Sequence, residues 1–137
     1  MYGDRNDMRQ FFVDVFNKQR AQAVLSPLES IVAEIIAAHP EYHSLLEKGN
    51  IDDNYTVERG DTNPFLHMAM HIAIREQVQT DRPTGIRNAW QELISRHGDP
   101  HAAEHAMLEV LGDTLATAQR NNTVPDEQAY LEAVRRL

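Results

Sequence analysis

The stretch NPFLHMAMHIAIREQVQT, residues 63–80, decides the class of fold. Asn63 is a good N-cap residue, and Pro64 suits a first helical turn, where its missing N–H would be unpaired anyway. No Gly or Pro interrupts the chain between Pro64 and the Asp81-Arg82-Pro83 break. From Phe65 to Ile74 the segment is apolar nearly all round, apart from His67 and His71, which predicts a central, buried helix.

The same punctuation recurs outward from this helix. Downstream, a helix over about 84–97 turns Ile86, Trp90, Leu93 and Ile94 inward, and Gly98 closes it. Asp99-Pro100 repeats the Asn63-Pro64 start and opens a helix carrying Leu108, Leu111 and Leu115. A last helix, about 125–137, turns Tyr130, Leu131, Val134 and Leu137 inward. Arg82 and Arg87 flank the turn after residue 80 and read as surface charges. Upstream, Met8, Phe11, Phe12, Val15 and Phe16 form the stripe of a helix over about 4–20. Ser26-Pro27-Leu28-Glu29 is a capping box for a helix whose inner face is Leu28, Ile31, Val32 and Ile35. Pro40 stops that helix after His39, and a short helix over 40–47 comes next. Residues 50–62 read as an ordered, acidic loop with a strand-like Tyr55-Thr56-Val57. The expected architecture is all-α: one domain, 1–137, folded as a largely antiparallel bundle of five to six helices.

Composition narrows the function. A 137-residue chain with 42% hydrophobic residues buries an ordinary core. A formal net charge of −8, with no run of Lys or Arg, argues against nucleic acid or an anionic membrane as partner. The absence of cysteine removes disulfides, thiolate nucleophiles and sulfur-ligated zinc, so any metal needs nitrogen or oxygen ligands. The opening Met1–Asp7 lacks a basic segment leading into an apolar one, and no apolar run approaches a transmembrane length. The expectation is a soluble cytoplasmic protein.

Seven histidines remain to be explained. His67/His71 and His101/His105 have the i,i+4 spacing that puts both rings on one helix face. Short turns around helices 63–80 and 84–97 imply an up-down-up path, which places both pairs in the first two turns of parallel helices. His97 ends the intervening helix on its inner face, and His39, with His43 after it, ends an earlier one. All seven are therefore expected near one end of the bundle, several of them inward. Buried imidazoles need partners, because an unsatisfied polar group in an apolar site costs about 1–3 kcal/mol. A metal satisfies several at once. Helix N-termini also oppose protonation of nearby rings and keep them able to ligate.

The candidate ligands are His67, His71, His101 and His105, with His39, His43 and His97 as alternatives or as groups that orient them. Glu104 and Glu109 are candidate proton acceptors, and Glu34, Glu41 and Glu76 further carboxylates. Imidazole ligation without sulfur suits a divalent ion, zinc or iron first, then nickel or copper. Met68 and Met70 read as core packing. Asp52-Asp53 lacks the pattern of a calcium loop, there is no phosphate-binding glycine loop, and Met68 stands where a zinc protease has its glutamate. The function expected is a His-rich metal-binding bundle, with metal-assisted hydrolysis as its reactive form. The rival is a non-enzymatic interaction or self-association module whose histidines are structural or pH-sensing. The very apolar helix 63–80 is compatible with a homo-oligomer.

Residues 63–77, with Thr80-Asp81-Arg82-Pro83 after them, resemble an uncharacterised bacterial family, domain of unknown function 1841. His39-Pro40-Glu41-Tyr42-His43 looks like the same family's other recognisable segment. The resemblance implies a short single-domain protein and carries no activity to transfer. A looser analogy links the chain to hemerythrin-like and DinB-like bundles, without either group's ligand order.

Overall fold

The computed structural model describes residues 5–49 and 63–137. Its elements are α1 Arg5–Arg20, α2 Pro27–Ala37, a 3-10 turn Pro40–Tyr42, α3 His43–Lys48, α4 Pro64–Thr80, α5 Ile86–His97, α6 Pro100–Asn121 and α7 Glu127–Arg135. No strand occurs among the described residues, and the all-α class stands. Among the described residues there are seven α-helices rather than the expected five to six, and the short helix expected over 40–47 is a 3-10 turn followed by α3. The expected loop over 50–62 lies outside the described residues. The helices pack as two compact units, Met1–Ile72 and Ala73–Leu137, with α4 beginning in the first and ending in the second.

In the first unit α1 packs on α2 and α3. Phe12, Val15 and Phe16 meet Val32, Ile35 and Ile36 of α2, Leu46 of α3, and Phe65 and Met68 of α4. The rings of Phe12 and Phe65 lie 6.1 Å apart, and the Arg9 guanidinium sits 4.9 Å from the Phe65 ring centre. The Ser26 hydroxyl accepts from the Glu29 N–H while the Glu29 carboxylate accepts from the Ser26 N–H, the capping box expected. Glu29 also takes Lys18 of α1 at 2.6 Å, which ties the two helices and holds its carboxyl below the usual range. Met8 and Leu28, expected inside, are exposed. Each sits in the first turn or so of its helix, ahead of the stretch that packs.

In the second unit α5, α6 and α7 pack pairwise. Ile86, Ala89 and Leu93 face Ala103, Met107, Leu108 and Leu111 of α6 and Tyr130, Leu131 and Val134 of α7. The Tyr130 hydroxyl donates to Gln77 Oε1 of α4 at 2.7 Å, and burial pushes the phenol up to about 12. Arg87 lies at the surface, as expected, and its side chain has a further task. Its guanidinium caps the last carbonyls of α4, at Val78 (2.9 Å) and Gln79 (2.6 Å), while Asp81 accepts from the Gly85 and Arg87 N–H groups. Leu137, expected inward, is exposed, as is Leu115 of α6. The buried series of α6 passes from Leu111 to Ala118, and Leu137 lies beyond the end of α7.

Helix α4 corrects another expectation. One stripe, Phe65, Met68, His71 and Ile74, is buried, while Leu66 is exposed and most of the other side chains are half-buried. The apolar surround in the sequence therefore serves one fully covered face rather than a helix enclosed on all sides. No helix among the described residues is long and apolar enough to cross a membrane.

Candidate metal centre

Pro40 determines where His39 goes. A residue before proline is pushed out of the helical region, and His39 adopts φ −126°, ψ 65° just past the end of α2. The chain leaves the helix there with the Ile35 carbonyl still lacking the usual N–H four residues on, because the His39 N–H turns to Ile36 instead. The His39 ring supplies the missing donor: Nδ1 donates to the Ile35 carbonyl at 2.7 Å. A carbonyl can only accept, so Nδ1 carries the proton and Nε2 of the neutral ring bears the lone pair.

His67 and His71 lie one turn apart on α4, whose first turn is capped by Asn63 Oδ1 accepting from the Leu66 N–H. Their Nε2 atoms are 3.2 Å apart. His71 and His39 are buried, and His67 is half-buried. The three rings form a near-equilateral triangle, with centres separated by 4.8 Å (His67–His71), 4.8 Å (His39–His71) and 5.0 Å (His39–His67). Each ring offers a nitrogen, and all three lie within 4.8 Å of one another. Two nitrogens bound at 2.0–2.1 Å to a tetrahedral ion stand about 3.3 Å apart, and the ring centres of two such imidazoles roughly 5 Å apart. The three ring-centre separations and the 3.2 Å between the Nε2 atoms of His67 and His71 have those dimensions.

Tyr42 flanks the triangle. Its ring is stacked on His39 at 5.4 Å and 4°, and meets His67 edge-on at 6.2 Å. Burial, aided by Glu41, raises the phenol above its ordinary range. His43 has a different task. Its Nε2 donates to the Ile36 carbonyl at 2.9 Å and its ring rests on Phe16 at 5.3 Å, so it holds the 40–48 segment to α1 and α2.

The second unit holds the other expected ligands. The rings of His101 and His105 are 4.3 Å apart, with Nδ1 of His105 donating to the His101 carbonyl at 3.1 Å. His101 is exposed and His105 half-buried. His97, expected inward, is exposed, because α5 ends there and its packed stretch stops at Leu93. Glu104 is buried and accepts from Arg75 at 3.4 Å, so as a proton acceptor it is already engaged. Glu34, Glu41, Glu76 and Glu109 are all exposed. Spacing alone ranks His39 as an alternative ligand, yet it joins His67 and His71 as a full member of the cluster. The signal for it is the X-Pro break combined with a ring four residues after Ile35. Met68, read as core, is fully buried.

No curated protein and no solved structure matches the chain. The family described as Domain of unknown function (DUF1841) matches residues 4–136. With nearly the whole chain covered, the protein belongs to the DUF1841 family.

Proposed function

We propose that this protein binds a divalent metal ion, zinc or iron first, through His39, His67 and His71. The observation that carries the reading is the triangle of ring centres 4.8–5.0 Å apart, the spacing of imidazoles sharing one tetrahedral ion. The bond from His39 Nδ1 to a backbone carbonyl supports it, since that contact is the usual way a protein fixes the tautomer of a ligating histidine. His39, His67 and His71 would hold the ion, and an ion held by three imidazoles would supply Lewis-acid chemistry, lowering the pKa of a water towards about 7 for metal-assisted hydrolysis. A fourth protein ligand would instead make a structural centre.

Zinc titration by calorimetry tests the reading. The wild type is expected to bind one ion, and His67→Ala/His71→Ala to lose at least about 100-fold in affinity, since even groups that merely orient ligands are worth 10–100-fold. His101→Ala/His105→Ala measures whether the second expected pair takes part. An unchanged affinity leaves the site to three imidazoles and directs attention to hydrolysis of activated esters. Failure of the wild type to bind zinc or iron returns the triangle to a hydrogen-bonded cluster, joined through the 3.2 Å His67–His71 contact, and favours the interaction-module reading.

A further inference from the structure

The segment that delivers His39 also supplies the group that holds its other side. A 3-10 turn has three residues per turn, so residues three apart eclipse one another. His39 and Tyr42 are related in this way: the Tyr42 N–H donates to the His39 carbonyl at 3.0 Å, and the two rings stack with centres 5.4 Å apart and planes 4° from parallel. His39 is thus gripped along its edge by the Ile35 carbonyl and across its face by Tyr42. The same phenol ring meets His67 edge-on and so touches two of the three imidazoles. His43, the next residue, anchors the turn through Ile36 and Phe16, which keeps Tyr42 from swinging away.

We infer that Tyr42 is the positioning residue of the metal centre, fixing the ring planes of His39 and His67 by stacking rather than through its hydroxyl. The inference rests on the proposed metal site. Stacking needs only the aromatic face, so phenylalanine should replace tyrosine without loss.

Two variants of the full chain test this, Tyr42→Phe and Tyr42→Ala, with helicity and melting temperature as folding controls. Cobalt(II) replaces zinc as the probe, because its visible absorption reports ligand geometry. Tyr42→Phe is expected to keep the wild-type spectrum and to stay within about threefold in cobalt affinity. Tyr42→Ala is expected to weaken binding by about 10–100-fold, the range for groups that orient ligands, and to broaden or shift the bands. Equal losses in both variants would overturn the inference and assign the effect to the hydroxyl. Wild-type affinity and spectrum in Tyr42→Ala would overturn it as well. The metal-free proteins supply an independent reading through imidazole nitrogen NMR. His39 should show a single Nδ1–H tautomer in the wild type and in Tyr42→Phe, and averaged tautomers in Tyr42→Ala. A wild type that takes up no cobalt defeats the metal reading. The same NMR comparison still decides whether Tyr42 holds the ring, and an unaltered tautomer in Tyr42→Ala refutes the positioning role.

Discussion

At the residue scale, one hydrogen bond sets the chemistry of His39. Donation from Nδ1 to Ile35 at 2.7 Å leaves the ring's lone pair on Nε2 and ties the ring to the end of α2. His67 and His71 face each other through Nε2, so a proton shared between them competes with any ion. Zinc ligation through both Nε2 atoms should therefore move that proton to Nδ1, and imidazole nitrogen NMR should show both rings as Nδ1–H tautomers in the zinc-bound protein. A ring that keeps its Nε2–H with zinc bound would contradict ligation through Nε2. Tyr130 gives a separate pH prediction. Its folded-state pKa is raised to about 12 from 10.0, so its contribution is fully present below pH 10 and is lost as the pH climbs towards 12. Tyr130→Phe should cost about 1 kcal/mol at neutral pH by removing the bond to Gln77, and should lessen the loss of stability in alkali. Denaturant melts at pH 7 and 11 check both. Of the histidines, the pair at 67 and 71 is legible from spacing alone. The junction with His39 is not, because it depends on how α4 folds back on the end of α2.

At the element scale, the helix ends are the most readable part of the chain, because capping is local chemistry. Ser26 with Glu29, Asp99 accepting from His101 and Ala102, and Gly98 in the left-handed region all stand where side-chain type places them. Ser26→Ala should cost about 1 kcal/mol by thermal or denaturant melt, since it removes the acceptor of an N–H at the start of α2. Gly85, the N-cap of α5, is under two constraints. Its φ is +100°, and an added Cβ would lie 2.8 Å from a terminal guanidinium nitrogen of Arg135. The side chain of Arg135 can move, but the backbone conformation cannot be relieved, so Gly85→Ala should destabilise by about 1 kcal/mol or more. Wild-type stability in that variant would contradict the conformation. Faces are less legible than ends. Met8, Leu28, Leu115 and Leu137 belong to apolar stripes yet lie exposed, because periodicity gives a direction and not the length over which a neighbouring helix covers it.

At the scale of the whole molecule, a bound ion should act as a staple on the first unit, where His39 ends α2 and His67 and His71 begin α4. Hydrogen exchange in the presence of zinc is expected to slow across 35–43 and 64–72. A ligand at 100 times its Kd adds about 2.7 kcal/mol to stability, so chelation should lower the melting temperature of the wild type and leave His67→Ala/His71→Ala unmoved. Equal responses in both proteins would place the effect elsewhere. Metal content is the decisive quantity. Tag-free wild type and the His67→Ala/His71→Ala variant would be measured by plasma mass spectrometry, with helicity checked in parallel. Close to one zinc or iron per chain is expected in the wild type, lost in a variant that remains helical. A wild type that purifies without metal and takes up neither ion when offered would contradict the metal centre.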